Sequence, residues 1–429
     1  MKLLLVGGGG REHALAWKFL RDDPSLDLIA APGNPGLEQF ARCVPVDITD
    51  VRGITELATR ERVECCVVGP EAPLARGLAD LLRSAGIPVF GPSRAAAAIE
   101  SSKTFAKRVM ADAGVATARA ERYVELERAC AGIARFGAPV VIKASGLAAG
   151  KGVIVAMTLD EALDAAASML EGNAFGDAGA EILVEEFMAG EELSLFAITD
   201  GTAVIPMLAA QDHKRLRDGD LGPNTGGMGA FAPVSLADDG TVQRVVRDVF
   251  EPTLARMREM RTPFTGLLYA GLMLTSDGPK VVEFNCRFGD PETEAILPLL
   301  DSSLLDIVLA VANGDSIAGT SLAWRSGAAV TTVLAARGYP DTPRKGDRIT
   351  LPAAGPSQII FHAGTARAAD GSLVTNGGRV LCATGIGATF ADARRESLAL
   401  ADAIDFDGKQ FRRDIGWREW ARDARAPRD

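Results

Sequence analysis

The first hundred residues alternate short apolar runs with amphipathic stretches of helical period, and this alternation constrains the fold more than any other feature. Strands separated by helices pair in parallel, because each helix returns the chain to the same end of the sheet. The pattern therefore predicts an N-terminal doubly wound parallel sheet. We predict strands at 2–6, 27–31, 65–68 and 88–90, with helices at 11–20, 53–60 and 74–85.

The whole chain predicts a multidomain protein of α/β and α+β class, because 429 residues exceed what one hydrophobic core supports. The break Gly91-Pro92-Ser93 ends the first unit, and Ser93 is placed to cap a following helix. A glycine- and serine-bearing stretch at 313–326 precedes a small C-terminal mixed α/β unit. We predict domains at 1–100, 101–319 and 320–429, short strands between 328 and 384, and a closing helix at 391–404.

Composition narrows the class of partner. The net charge of −10 argues against a nucleic acid or an anionic membrane surface. No apolar run is long enough to span a membrane, and the apolar start is too short for a signal peptide. The six cysteines show no Cys-x-x-Cys spacing. We therefore expect reduced thiols, a cytoplasmic location and small-molecule substrates, with phosphate chemistry confined to locally placed lysines and arginines.

A glycine-rich segment between two apolar runs is bounded by Lys143 and Lys151. Gly146, Gly150 and Gly152 let the backbone turn tightly and bring bare N–H groups against an anion. The flanking runs predict two strands joined as a hairpin flap. Such a flap is typical of a site that covers and releases a triphosphate. The alternative is a surface hairpin with solvated lysines.

A second pattern spaces three polar side chains two residues apart, at Glu283, Asn285 and Arg287. Alternate residues of a strand point to the same face, so these three are predicted to share one face. A carboxylate and an amide oxygen are sufficient protein ligands for Mg²⁺, which takes its other ligands from water and phosphate. An arginine beside them can clamp a phosphoryl or carboxylate group. The alternative is a solvated polar face at a sheet edge.

The glycine loop at 7–10 follows the first predicted strand and invites a dinucleotide-binding interpretation. However, Glu12 or His13 replaces the third glycine of that fingerprint, and the next strand lacks a terminal acid for a ribose hydroxyl. An NAD-dependent oxidoreductase is therefore disfavoured, although a helix N-terminus here can bind a phosphate monoester. Glu71, after a neighbouring strand, is placed to bond ribose hydroxyls or a substrate amine, or is an ordinary turn glutamate.

These residues resemble those of the phosphoribosylamine–glycine ligase family, within the ATP-grasp superfamily, over essentially residues 1–420. The glycine segment and the Glu283 strand are typical of ATP-grasp enzymes in general, whereas loop 222–229 and the Asp290-Pro291-Glu292 ending are similar to this ligase family. The resemblance implies an N-terminal domain, a mobile lid at about 115–189, a central ATP-grasp domain and a C-terminal domain. The motifs lie at 7–15, 31–34, 68–74, 142–153, 211–215, 222–229, 283–292 and 376–381.

The resemblance implies ligation of glycine to 5-phosphoribosylamine, giving glycinamide ribonucleotide, ADP and phosphate in de novo purine biosynthesis. The glycine carboxylate is first phosphorylated to glycyl phosphate, which the ribosylamine then attacks. Phosphoryl transfer of this kind depends on positioning and charge stabilisation. ATP is then a co-substrate, Mg²⁺ or Mn²⁺ is the cofactor, and the protein is a monomer or a weak homodimer.

The resemblance also implies where each ligand binds, with the substrate phosphate between the N-terminal glycine loop and Arg379. ATP is expected against Lys103, Lys143, Gly150, Lys151 and Gly152 for the phosphates, Glu185, Glu186, Phe187 and Met188 for adenine, and Glu192 for ribose. The substrates are expected at Gly8, Gly9, Gly10, Asn34, Pro70, Glu71, Gly226, Gly227 and Arg379. Metal ligands are Glu283 and Asn285, and catalytic residues are Arg287, Asp212 and Lys214, with Asp212 placed to pair with the glycine ammonium.

The sequence departs from the ATP-grasp pattern at one position, so the full set of metal ligands is left undecided. Many ATP-grasp enzymes carry a further acidic ligand on the preceding strand, but residues 266–274 contain no carboxylate. Either water and phosphate complete the shell, or Asp212 or Asp290 supplies an oxygen. Three other functions also stay open: another ATP-grasp ligase or carboxylase with different substrates, an NAD-dependent oxidoreductase, and a module that senses a nucleotide without turnover.

Overall fold

The computed structural model describes residues 1–146, 152–171 and 181–423. Its N-terminal sheet has the order β3-β2-β1-β4-β5, and every neighbouring pair is parallel. The predicted doubly wound sheet is therefore confirmed. The predicted helix at 74–85 is wrong in one respect, because Gly77 adopts a left-handed φ of 85° and divides α3 from α4. The elements are β1 (Lys2–Gly7), α1 (Gly10–Asp22), β2 (Asp27–Pro32), β3 (Arg42–Cys43), α2 (Val51–Glu61), β4 (Cys65–Val68), α3 (Glu71–Ala75), α4 (Leu78–Ser84) and β5 (Val89–Phe90).

A small antiparallel sheet of order β6-β9-β7-β8 follows, with two helices packed on it. Its apolar side chains form a cluster of their own, which includes Ile133, Ile142 and Met169. A core of its own is what defines a separate structural unit. We call it the lid sheet. Its elements, after α5 (Arg94–Ser101) and α6 (Lys103–Ala113), are β6 (Ala120–Tyr123), α7 (Leu126–Phe136), β7 (Val140–Ala144), β8 (Val153–Ala156), α8 (Leu159–Leu170) and β9 (Ile182–Glu186).

The central sheet, of order β11-β10-β16-β17, carries the predicted metal strand at its edge. Gly271 pairs with Glu283 while Leu272 pairs with Val281, so Val282 is an extra residue in β17. Such a bulge bends a strand and redirects its side chains. The elements are β10 (Glu191–Thr199), β11 (Val204–Pro206), α9 (Asp239–Val245), α10 (Glu251–Glu259), β16 (Gly266–Thr275) and β17 (Gly278–Asn285), with a π-helical turn at Val246–Phe250 between α9 and α10.

The last large sheet has the order β12-β15-β18-β22-β19 and is antiparallel. It joins strands from both sides of residue 319, so the predicted boundary there does not separate two sheets. No helix of the described residues is long and apolar enough to cross a membrane. The elements are β12 (Gln211–Asp212), β13 (Arg215–Arg217), β14 (Leu221–Asn224), β15 (Gly229–Ala232), α11 (Glu292–Ile296), α12 (Leu304–Asn313), β18 (Ala328–Ala335), β19 (Gln358–His362), β20 (Thr365–Arg367), β21 (Leu373–Thr375), β22 (Arg379–Gly387), α13 (Phe390–Ala403) and α14 (Trp417–Asp423).

Two buried histidines join helix α1 of the N-terminal unit to the last sheet. The ring Nδ1 of His13 accepts a hydrogen bond of 2.8 Å from the backbone N–H of His362. The amide of Asn34 donates to the His362 carbonyl oxygen at 2.9 Å. Burial lowers the pKa of His13 to about 3 and the pKa of His362 to about 4. A proton on His13 Nδ1 would also remove the bond from His362, so this seam requires neutral rings.

We expect the free energy of unfolding to fall when the pH is lowered from 7.5 to 5.5. The unfolded chain takes up protons near pH 6.5, whereas the folded chain holds these rings neutral, so stability present above pH 6.5 is lost below it. Each histidine contributes about 1.4 kcal/mol over this range. Urea midpoints at both pH values test this, and His13→Asn should show a smaller loss. An equal loss in both proteins would contradict the assignment.

Candidate active site

Two adjoining cavities lie where the lid sheet meets the central sheet. The charged cavity, of about 370 Å³, is lined by Arg11, Glu71, Glu100, Arg287 and Arg379 among others. The lid cavity is about 500 Å³ and extends between the two sheets. Five of the residues common to both are Lys143, Glu185, Asp212, Lys214 and Glu283. Lys143, at a described end of the glycine segment, and Glu283 of the metal strand therefore border the same space although they are distant in sequence.

The lid cavity has an apolar part that suits a flat base. Val141, Val153 and Val155 line it from the lid sheet, and Leu272 lines it from the central sheet. The segment Glu186–Phe187–Met188, which leads out of β9, lines the same cavity. Apolar walls with a few polar groups are typical of small-molecule sites. This segment is where the sequence predicts adenine.

Glu185 lies at the centre of a buried ion-pair network. Lys143 approaches its carboxylate at 2.8 Å, and Lys107 approaches at 3.1 Å. Burial opposes ionisation of Glu185, but the two lysines outweigh burial and hold its pKa below the ordinary value. Lys143 also donates to the carbonyl oxygen of Val282, at 3.2 Å. The side chain of Glu185 is thus occupied by its ion pairs with Lys143 and Lys107. Backbone groups of the neighbouring segment therefore remain to contact the predicted adenine.

Two lysines on α6 point toward this network. Lys103 Nζ donates to the carbonyl oxygen of Gly146 at 3.2 Å, and burial lowers the pKa of Lys103. Lys107 lies four residues later, on the same face of the helix. The sequence interpretation missed Lys107. Its helical spacing from Lys103 is the signal that would have found it.

Lys214 bridges two acids at the junction of the cavities. Its Nζ lies 2.7 Å from Glu192 and 2.9 Å from Asp212. Burial raises the pKa of Asp212 to about 7, and the attraction of Lys214 opposes that shift. The carbonyl oxygen of Lys214 accepts from the Thr225 hydroxyl at 2.8 Å. The predicted ribose, catalytic and glycine-site residues therefore contact one another directly.

Glu283 and Asn285 present oxygen atoms to the charged cavity. Neither side chain takes part in a hydrogen bond or a salt bridge among the described residues, but Glu283 is the acid that most opposes the fall in the pKa of Lys103 caused by burial. One carboxylate and one amide fit the oxygen preference of Mg²⁺ and similar ions, with phosphate and water as further ligands. The described residues contain no group of three His, Cys, Asp or Glu side chains that could hold a metal. Asp212 and Asp290 both line the cavity, but Lys214 and Arg379 already pair with them.

Arg287 lies beyond the end of β17 and is held between two carboxylates. Its Nε is 3.3 Å from Glu71, and its Nη2 is 3.1 Å from Glu100. Burial acts to lower the pKa of Arg287, but these acids outweigh burial and raise it. Burial also raises the pKa of Glu100, whose side chain is only 6% exposed. The sequence interpretation missed Glu100, which sits on a helix of otherwise unremarkable pattern.

Arg379 anchors the loop predicted to cover glycine. Its Nη1 donates to the carbonyl oxygens of Gly226, at 2.6 Å, and Asp290, at 2.7 Å. Gly227 has a φ of 115°, and a Cβ there would lie 2.5 Å from Pro291 Cδ. Only glycine fits that position.

The N-terminal glycine loop lies behind this cavity rather than in its lining. The Gly9 N–H donates to Glu12 at 2.6 Å, and the Arg11 N–H donates to Asp290 at 3.4 Å. A Cβ on Gly10 would collide with Glu294. The N-terminus of α1 is therefore filled by carboxylates. The predicted phosphate contact of Gly8, Gly9 and Gly10 stays a prediction that requires these acids to move.

The other predicted residues fall into four groups. Pro70 and Glu71 line the charged cavity. The Asn34 amide donates to the carbonyl oxygen of Gly8 at 3.0 Å, so this side chain holds the loop in place. Gly152 is buried in the described part of the flap, and its carbonyl oxygen accepts from Ala144 at 2.8 Å. Gly150 and Lys151 lie outside the described residues.

Three family profiles of phosphoribosylglycinamide synthetase match the chain in order. The N domain matches residues 1–100, the ATP-grasp (A) domain 101–293 and the C domain 329–418. The chain belongs to the phosphoribosylglycinamide synthetase family. The resemblance inferred from the motifs is thereby confirmed.

Curated relatives of this synthetase family match over the full length. The phosphoribosylamine–glycine ligase of Mesorhizobium japonicum is 50% identical over 425 residues, covering 99% of each chain. That of Ralstonia nicotianae is 49% identical over 97% of this chain and 99% of the relative. The crystal structure of phosphoribosylamine–glycine ligase from Thermotoga maritima has a TM-score of 0.85 and 37% identity, covering 97% of this chain and 100% of that one.

A more distant likeness concerns the fold alone. The biotin carboxylase domain of the Hydrogenobacter thermophilus 2-oxoglutarate carboxylase has a TM-score of 0.73 at 18% identity, over 96% of this chain and 91% of that one. This synthetase-family chain therefore has the mixed α/β multidomain architecture that the sequence predicted.

Proposed function

We propose that the protein joins glycine to 5-phosphoribosylamine with ATP, through glycyl phosphate, and so supplies glycinamide ribonucleotide for purine biosynthesis. The observation that carries the proposal is the junction of the two cavities. Oxygen donors of Glu283 and Asn285 face the same space as the lid residue Lys143. Full-length relatives with this activity in their names support the same conclusion.

We assign the metal to Glu283 and Asn285, with Mg²⁺ or Mn²⁺ as the cation. When bound, such an ion neutralises phosphate charge during phosphoryl transfer. Lys143 and Lys103 hold the terminal phosphates of ATP, and the segment after Glu185 holds adenine. Glu192 contacts ribose, while Gly150, Lys151 and Gly152 cover the phosphates.

Glycine and 5-phosphoribosylamine occupy the charged cavity. Asp212, held by Lys214, pairs with the glycine ammonium, and Arg287 holds the glycine carboxylate or its acyl phosphate. Once phosphorylated, the glycyl group is attacked by the neutral ribosylamine, and phosphate leaves. Arg379 fixes loop 226–227 over the small amino acid, and Glu71 contacts the ribosylamine. The phosphate of the ribosylamine lies toward the N-terminal loop.

We further propose the domain limits 1–100, 101–319 and 320–429, with a lid at about 115–189. The lid sheet, which runs from Ala120 to Glu186, supports the last of these limits. We also propose a cytoplasmic enzyme that acts as a monomer or a weak homodimer.

The test is ADP formation measured with ATP and Mg²⁺, with glycine and phosphoribosylamine each omitted in turn. We expect ADP only when both are present. ADP formation that instead needs bicarbonate and an aminoimidazole substrate would replace this ligase with a carboxylase. Binding of NAD(H), or tight ATP binding without any turnover, would favour the oxidoreductase or the sensing module.

A further inference from the structure

The hairpin β13–β14 is an isolated element at the nucleotide site. Within the described residues its strands pair only with each other. Arg215 and Asn224, at its base, line the lid cavity. Lys214 and Thr225, immediately outside it, line both cavities. A single hairpin is at best marginally stable in water, so this one requires support from elsewhere to keep those residues in place.

That support comes from the C-terminal segment. Arg412 has no exposed side-chain surface. Its Nη1 donates to the Asp220 carboxylate at 2.9 Å and to the Arg215 carbonyl oxygen at 3.2 Å, so it contacts both the turn and the base of the hairpin. Two further bonds, of 2.7 and 2.8 Å, join the guanidinium to Asp414. Asp414 in turn accepts from the Gly219 N–H in the turn, at 2.8 Å.

The same segment contacts the site from a second direction. The Gly416 N–H donates to His213 Nε2 at 3.0 Å, directly beside Lys214. Gly416 has a φ of 72°, and a Cβ there would collide with Phe390, so a side chain would displace this contact. Arg418 donates to Asp220 at 2.8 Å and itself lines the lid cavity. The segment is therefore part of the cavity wall.

Burying a guanidinium is costly unless every donor direction is matched by an acceptor. Here the four bonds of Arg412 are spread over both ends of the hairpin and over its own neighbour Asp414. A contact that only filled space would be served equally well by an apolar side chain. The bonding pattern instead fixes one position of the hairpin relative to the C-terminal segment.

We propose that residues 412–418 form a C-terminal clamp that completes the ATP site, with Arg412 as a positioning residue for Lys214 and Thr225. Arg412 itself lines neither cavity. It acts by holding the hairpin, and thereby the base of the loop that leads to Gly226. The proposal rests on the proposed function, because it assumes that ATP occupies the lid cavity.

The test compares Arg412→Met with Arg395→Met, a matched loss of an exposed arginine on α13 whose side chain is 64% exposed. In Arg412→Met we expect backbone amides of 215–224 to exchange hydrogen at least about tenfold faster, because local opening becomes easier. The Kd for MgATP should rise about tenfold. Turnover should fall about 10²-fold, the typical cost of a displacement of about 1 Å at a reacting site. Arg395→Met should match the wild type in all three.

A second pair of variants keeps the proposal testable if Arg412→Met does not fold. Asp220→Asn removes the negative charge of the hairpin turn and one of the two oxygens that accept from Arg412 and Arg418, at a partly exposed position, and Arg412→Lys retains the charge of the clamp. We expect Asp220→Asn to reproduce the faster exchange and the weaker MgATP binding, and Arg412→Lys to recover part of both. Unchanged exchange at 215–224, or unchanged MgATP affinity in folded Arg412→Met, would overturn the proposal. A wild-type protein that does not bind MgATP would instead overturn the proposed function.

Discussion

Glu283→Ala is expected to lower turnover by about 10²–10³-fold or more while the protein stays folded. The variant removes the one carboxylate of the proposed metal pair, and a catalytic cation is worth several kcal/mol of charge stabilisation. The fold should tolerate the change, because Glu283 makes no hydrogen bond or salt bridge among the described residues, and Lys103, the partly buried cation whose charge it helps to balance, also donates to the Gly146 carbonyl oxygen.

The measurement is the dependence of ADP formation on Mg²⁺ and Mn²⁺ concentration, with thermal unfolding as the check on folding. In Glu283→Ala we expect saturation at much higher cation concentration, or none. Asp277→Asn is the matched control, because Asp277 lies on the same β-hairpin and its side chain is 74% exposed. Wild-type cation dependence in Glu283→Ala would remove this residue from the metal site.

Local patterns predicted most of the fold, since each depends on neighbours in the chain. The strand Cys65–Val68 and the flap strands follow from apolar runs with turn residues on either side. The helix break at Gly77 could not be predicted from the helical pattern, because only the tertiary structure decides whether such a glycine is tolerated or breaks the helix. The bulge at Val282 could not be predicted from the sequence either, because it exists only in the pairing of β17 with β16.

The candidate site shows the same limit. The lysines that flank the glycine segment, and the acid two positions from an amide in β17, predict phosphate and metal binding from the local sequence alone. Two of the partners of these residues do not, because Glu100 and Arg412 become informative only when the fold brings them to Arg287 and Asp220. The N-terminal glycines illustrate the reverse case. Their pattern predicts an anion site, which stays a prediction, and the structure adds that a Cβ on Gly9 or Gly10 would meet Glu12 or Glu294.

Arg287→Ala is expected to lower product formation by about 10²–10³-fold, the typical cost of removing a group that stabilises developing charge. The affinity for MgATP should change little, because Arg287 lines the charged cavity and not the lid cavity. Steady-state turnover and calorimetric titration of MgATP separate these two quantities. A large loss of ATP affinity would place Arg287 on the nucleotide rather than on glycine.

Arg287→Ala must be compared with a charge-compensated double variant, so that a loss of activity can be separated from a loss of stability. Arg287 pairs with Glu71 and Glu100, and removing one member of a buried pair costs about 3–5 kcal/mol of stability. Glu100→Gln neutralises the more deeply buried acid, so Arg287→Met with Glu100→Gln should fold better than Arg287→Ala. If Arg287 acts on the substrate, the double variant regains stability but not activity, while Glu100→Gln alone keeps most of its turnover. Activity restored together with stability would show that Arg287 serves only to balance charge.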